Sequence, residues 1–343
     1  MRQAVMTAPY EVVVHSVPDP RRGPDQVLVS VGACGLCTWE QRVYRGVRSE
    51  YPLLGGHEVG AVVLEAPAGS TVAAGDVVAV SLLPRCGHCH YCVSGRSNLC
   101  AYNAPAPPPD GRPRGPGGLS ELLVVAPADV YPIGPEGTCA QAALVEPLAC
   151  VAHSVRRARC QPGDLLVVFG AGFTGLLHLA YARARGLTTA VVLTGRDAGV
   201  TQVPDADLTI ASAEPAAILQ ALRDALGVPG ADAAVVTRGG GAAVAAATET
   251  VRPGGFAIVF QSIPDGEPVP LDPARLRSRE VMVGGAVSHT APDFETAAHL
   301  VRYGGIDLAP LIGRTFPLAA TREALDHAVA RPGRRTLVLP SQR

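Results

Sequence analysis

Residues 165–175 constrain the fold of this chain more than any other stretch. An apolar run, Leu165–Phe169, leads into Gly170-Ala171-Gly172-Phe173-Thr174-Gly175, and residues 173–185 read as a helix. This is G-x-G-x-x-G between a strand and a helix. Gly170 permits the tight turn, Gly172 lets backbone approach a pyrophosphate, and Gly175 lets the helix pack close to the strand. The helix N-terminus favours the phosphate charge. A second strand over 189–193 completes the context that separates a dinucleotide site from a Gly-rich turn in some other α/β fold. Strands at 233–236, 256–260 and 281–284 then alternate with helices at 216–226 and 242–251, which predicts parallel βαβ units and a doubly wound sheet.

The first 150 residues have a different texture. Short strands are expected at 26–31, 60–65, 77–82 and 121–125, with a Pro- and Gly-rich loop over 104–118. Residues 139–159 have helical spacing with only Pro147 to kink them. The tail predicts helices at 292–303 and 321–330 and a last strand at 336–339. With 343 residues, 48% of them hydrophobic, the chain can bury about two cores.

Composition removes several chemistries. All 29 basic residues are Arg, so a Schiff-base lysine, a Walker-A lysine and a Tyr-x-x-x-Lys centre are excluded. A net charge of −1 argues against nucleic acid as a partner. The N-terminus lacks a long apolar signal core. The most membrane-like stretch, 165–182, holds three Gly, a Thr and His178. A cytoplasmic protein with no membrane partner is therefore expected. Nine Cys in such a chain favour metal ligation over disulfides.

Cys86, Cys89, Cys92 and Cys100 form C-x2-C-x2-C-x7-C. Four thiolates close a tetrahedral shell around zinc and leave no open position, which is the signature of a structural site. A four-Cys iron–sulfur cluster is the alternative that spacing alone leaves open. Elsewhere stand Cys37 in GLCTWE, His57-Glu58 in GGHEVG and Glu146 in ALVEPLAC. Cys, His and carboxylate are competent zinc ligands, and three of them leave a position for a water or substrate oxygen. Each of these short motifs is weak alone, and a Gly-His-Glu turn with a surface acid is the plainer reading of the second.

Together, GLCTWE, GGHEVG, the four-Cys lobe, ALVEPLACVAH and VVFGAGFTG resemble, in that order, the zinc-dependent medium-chain dehydrogenase/reductase superfamily, the alcohol and polyol dehydrogenases. The resemblance spans essentially the whole chain. It implies a β-rich GroES-like catalytic domain over 1–153 and 288–343, with a zinc lobe near 84–102, and an inserted Rossmann domain over 154–287. It implies two zinc ions per chain: a catalytic one on Cys37, His57 and Glu146, with Glu58 as an alternate ligand, and a structural one on Cys86, Cys89, Cys92 and Cys100. Cys150 is a poorer substitute for Glu146, and Cys34, Cys139 and Cys160 read as buried structural thiols. The implied partner is a small-molecule secondary alcohol or ketone, polyol- or cyclitol-like, in a homodimer or homotetramer.

Two departures qualify that resemblance. The family often carries Ser or Thr two residues after the ligand Cys as a proton relay; here that residue is Trp39, with Thr38 or a route through Glu58 left to replace it. The substitution keeps open conjugate reduction of a C=C bond, although the complete ligand set argues against it, as it does against a non-catalytic binding protein. The second departure concerns the cofactor. An acid about 20 residues past the glycine turn reads the ribose of NAD. Here the count reaches Gly195, followed by Arg196, which makes room for a 2′-phosphate and offers it a guanidinium, so NADP(H) is expected over NAD(H). Asp197 is the ribose ligand if the turn runs one or two residues longer.

Overall fold

Leu165–Phe169 is buried along its whole length and is an interior strand of a six-stranded parallel sheet. The sheet runs Leu208–Ile210, Thr188–Val192, Leu165–Phe169, Ala231–Val236, Val251–Val259, Met282–Gly285. In chain order within this unit that is 3-2-1-4-5-6, so the order reverses between Leu165–Phe169 and Ala231–Val236. Strands buried on both faces need continuous apolar runs, and Val, Leu and Ala supply them. The computed structural model describes residues 1–102, 113–197, 200–264, 266–331 and 333–341. The side chain of Arg196 and most of the expected 104–118 loop lie outside the described residues.

The chain forms two compact units, Met1–Ala149 with His289–Arg343, and Cys150–Ser288. The second holds the parallel sheet. The first holds a seven-stranded, mostly antiparallel sheet in which Val27–Gly35 pairs with Glu58–Glu65, with Leu122–Val125 and with the C-terminal Arg335–Leu339. That last pairing is what returns the tail to the N-terminal unit. A hairpin of Arg2–Ala8 and Glu11–Ser16, which sequence reasoning left unread, packs Ala4, Val5 and Met6 into the same core.

The helix expected over 139–159 is two helices, Cys139–Ala143 and Val145–Arg157. Pro147 has no N–H for the carbonyl of Ala143, and its ring crowds that carbonyl. The first helix therefore ends, with Leu144 as its C-cap. The second restarts so that Pro147 falls in its first turn, where the missing N–H has no consequence. The first is opened by a capping box, in which Thr138 and Gln141 satisfy each other's backbone N–H groups.

Candidate functional site

The four cysteines of the lobe converge. All four Sγ atoms lie within 4.8 Å of one another, with Cys86–Cys92 and Cys89–Cys100 both at 3.9 Å. A tetrahedron with metal–sulfur bonds of about 2.3 Å has sulfurs about 3.8 Å apart, so the set fits one zinc ion. Backbone N–H groups point at the sulfurs: Cys86 N donates to Cys100 Sγ at 3.4 Å and Cys89 N to Cys86 Sγ at 3.3 Å. These donors favour thiolate. Backbone hydrogen bonding, led by Ala101, holds the Cys89 thiol down at about 6, and that from Cys86 lowers Cys100.

A second donor cluster centres on His57. Ligand atoms of Cys37, Glu40 and His57 lie within 4.8 Å of one another, and so do those of His57, Glu58 and Glu146. The two sets share His57 and draw on three chain segments, and Cys37 and Glu146 do not fall within one set. Cys37 is the N-cap of the helix Thr38–Tyr44, which leaves Val27–Gly35. His57 stands just before the strand Glu58–Glu65, and Glu146 lies in the first turn of Val145–Arg157. The donors are soft, borderline and hard in turn, a mixture that suits zinc.

The neighbours of these groups organise them. Glu40 is fully buried; its Oε1 accepts the N–H of Gly56 at 3.0 Å and lies 2.7 Å from His57 Nδ1. Against a carboxylate, Nδ1 carries the proton, so Nε2 keeps its lone pair for a metal. Glu58 is fully buried, with its Oε2 2.9 Å from Arg335 Nε, a close ionic contact without the alignment of a hydrogen bond. Arg335 also donates from Nη1 to the carbonyl of Leu36 at 3.1 Å. A Cβ at Gly35 would stand 2.0 Å from Glu58 Oε2, so the glycine makes room for this carboxylate. Burial pushes the Glu58 carboxyl up to about 7, and Arg335 opposes the rise. Buried Glu58 Oε1 has no hydrogen-bond partner among the described residues. His289, 1% exposed, sets its Nε2 3.6 Å from Glu146 Oε1.

Trp39 is half-buried against the core and meets the His57 ring edge-on, with centroids 5.9 Å apart. Thr38 is exposed at the first position of its helix. Of the remaining thiols Cys34 is buried, whereas Cys139, Cys150 and Cys160 keep some exposure; the expectation of burial thus fails at Cys139 and Cys160. Sequence reasoning gave Glu40 no role at the site. It missed Arg335 and His289, which reach the cluster from the tail.

In the other unit, Gly170, Gly172 and Gly175 form the turn between Leu165–Phe169 and the helix Phe173–Ala184. Gly170 has φ +100°, and a Cβ on Gly175 would lie 1.9 Å from its carbonyl oxygen. Only the tip of the Arg238 guanidinium comes within 4 Å of where a Cβ on Gly172 would be, which leaves room for a ligand against the backbone. Phe173 is buried and Thr174 half-buried; the carbonyl of Thr174 lies 2.8 Å from buried His178 Nδ1. The turn thus fits a dinucleotide phosphate. Gly195, at φ +49°, has nothing within 4 Å of its would-be Cβ. Asp197, by contrast, is 8% exposed and bonded inward, to Ala171 N at 3.2 Å and Arg238 Nη1 at 3.3 Å.

Known proteins resemble this chain along nearly its whole length. Residues 23–135 match the alcohol dehydrogenase GroES-like domain. The chain is 31% identical over 338 residues to a 2-dehydro-3-deoxy-L-galactonate 5-dehydrogenase of Pseudoalteromonas atlantica, covering 96% of this chain and 95% of that protein. It is 28% identical over 341 residues to a sorbitol dehydrogenase of Bacillus subtilis, covering 96% and 94%. Among solved structures, a Sinorhizobium meliloti 1021 protein assigned as a zinc-binding dehydrogenase and bound to NADP superposes with a TM-score of 0.84 at 27% identity, over 99% of both chains.

Proposed function

Because this chain belongs to the zinc-dependent medium-chain dehydrogenase/reductase superfamily, we propose that it interconverts a secondary alcohol and its ketone, polyol- or cyclitol-like, with NADP(H) favoured over NAD(H). The observation that carries this reading is the His57-centred donor cluster in a chain that also bears the glycine turn of a 3-2-1-4-5-6 sheet. We assign Cys37, His57 and Glu146 as catalytic zinc ligands, with Glu58 as alternate, and the four lobe cysteines to a second, structural zinc. A homodimer or homotetramer is part of the proposal.

Bound zinc supplies a Lewis acid at the substrate oxygen, and bound nicotinamide supplies or accepts the hydride. The protein's share is orientation and proton handling. Glu40 fixes the tautomer of His57. Arg335 holds Glu58 beside His57 and Glu146. Trp39 presents an apolar surface beside His57 where the family often has a hydroxyl, so proton exchange falls to exposed Thr38 and water, or to Glu58. The preference for NADP(H) is supported by the open space at Gly195 and by the inward commitment of Asp197, which is not free to read a ribose diol.

Trp39 also favours a second reading, conjugate reduction of a C=C bond with the same cofactor. Reduction of ketone and enone panels with NADPH, in zinc-analysed protein, tests the choice. Turnover of ketones to carbinols supports the first reading. Reduction confined to enones, with the carbonyl untouched, overturns it.

A further inference from the structure

Arg238 follows the strand Ala231–Val236 by two residues, and the glycine turn follows Leu165–Phe169. These two strands are neighbours, and they are the pair between which the strand order reverses. Ligands of doubly wound sheets bind outside the carboxyl ends of such a pair. Arg238 therefore projects from one lip of the crevice whose other lip is the phosphate turn.

Its side chain lies across the turn. Arg238 Cβ is 2.8 Å from where a Cβ on Gly170 would be. Its Nη2 and Cζ are 3.4 and 3.9 Å from the corresponding point at Gly172, the glycine at which backbone approaches a pyrophosphate. Asp197 holds it there. Asp197 Oδ1 accepts from Arg238 Nη1 at 3.3 Å, while Oδ2 accepts from the N–H of Ala171 at 3.2 Å and of Thr194 at 3.4 Å. One nearly buried carboxylate thus ties together the exit of Thr188–Val192, the glycine turn and the guanidinium. Nη2 has no hydrogen-bond partner among the described residues, and the Arg238 side chain stays 32% exposed.

A fork with one arm bound to a carboxylate and the other free is oriented before a ligand arrives, and guanidinium suits phosphate oxygens. We propose that Arg238 is a specificity-neutral ligand of the cofactor's pyrophosphate, with Asp197 as its positioning residue. The inference rests on the nucleotide reading above and goes beyond it. It separates two Arg roles: Arg238 acts on the pyrophosphate common to NADH and NADPH, whereas Arg196 acts on the 2′-phosphate that only NADPH carries.

The test is fluorescence titration of zinc-containing wild type, Arg238→Gln and Arg238→Lys with NADPH and NADH, and competition by ADP and by adenosine. Arg238→Gln should weaken NADPH, NADH and ADP by a common factor of about 10 to 100, as expected for loss of a charge-assisted contact. It should leave adenosine unchanged, and Arg238→Lys should fall between. Unchanged dinucleotide affinities in Arg238→Gln would overturn the inference. So would a loss confined to NADPH, which makes Arg238 a 2′-phosphate reader, or an equal loss for adenosine, which makes it a prop for the fold. Wild type that binds neither dinucleotide would overturn the cofactor reading, and this inference with it.

Discussion

Glu40 and His57 share a contact of 2.7 Å that ties the helix following Val27–Gly35 to the turn preceding Glu58–Glu65. The carboxylate is fully buried and also accepts the N–H of Gly56, so it has little freedom to turn away. Such outer partners of a metal-binding His typically govern metal affinity or activity by about 10- to 100-fold. Glu40→Gln should therefore lower kcat and speed loss of the catalytic zinc during dialysis against chelator, with the lobe zinc retained. Metal retention and kcat equal to wild type would remove Glu40 from this role.

Two donor sets predict about two zinc ions per chain. Cys37→Ser should retain one and stay folded. Cys89→Ser should lose the lobe ion and melt earlier, because binding at a structural site is folding free energy. Elemental analysis with calorimetry checks both. A Cys89→Ser protein that melts like wild type would rule out a structural ion in the lobe.

For Arg196, the expected signature is selectivity. Gly195 leaves the end of Thr188–Val192 without an acid, and Asp197 is bonded into the glycine turn. Arg196→Ala should reduce the ratio of kcat/KM for NADPH to that for NADH by about 10- to 100-fold, equivalent to about 1.5–3 kcal/mol. An enzyme that prefers NADH and whose ratio ignores this substitution contradicts the NADP(H) preference.

His178, in the helix that follows the glycine turn and away from both metal-donor sets, provides a pH prediction. It is fully buried, with Nε2 2.6 Å from Ser154 Oγ and Nδ1 2.8 Å from the carbonyl of Thr174. Burial pushes its imidazole down to about 4. The unfolded chain, titrating near 6.5, binds the proton first, so stability is full above that pH and falls as pH drops toward 4. This one group accounts for a loss on the order of 3 kcal/mol. Urea midpoints at pH 7 and 4.5 should draw together in His178→Asn relative to wild type. Equal acid sensitivity in both proteins would deny that His178 is buried neutral.

What the sequence made legible is local. The glycine turn and the alternation of strand and helix report the parallel sheet because their signals lie within one βαβ unit. The four lobe cysteines fall in one short segment, so spacing alone suggested their convergence. Less visible were partners brought together by the sheet. Arg335 reaches Glu58 only because the C-terminal strand Arg335–Leu339 pairs with Val27–Gly35, and nothing near residue 58 announces it. Glu40 sits three residues from Cys37, yet its role depends on a helical turn aiming it at His57. Pro147 was visible, but its effect was read as a kink when it divides the segment into two helices.

The central claim is hydride transfer to a carbonyl carbon at a His57-centred metal site. It is tested most directly by incubating wild type and His57→Ala with a ketone and NADPH deuterated at the transferable C4 position, followed by mass and NMR analysis of the product. The account predicts deuterium on the carbinol carbon with wild type and no labelled product with a folded His57→Ala protein. Deuterium on a carbon β to an intact carbonyl in an enone substrate, or carbinol labelling undiminished in His57→Ala, would contradict it.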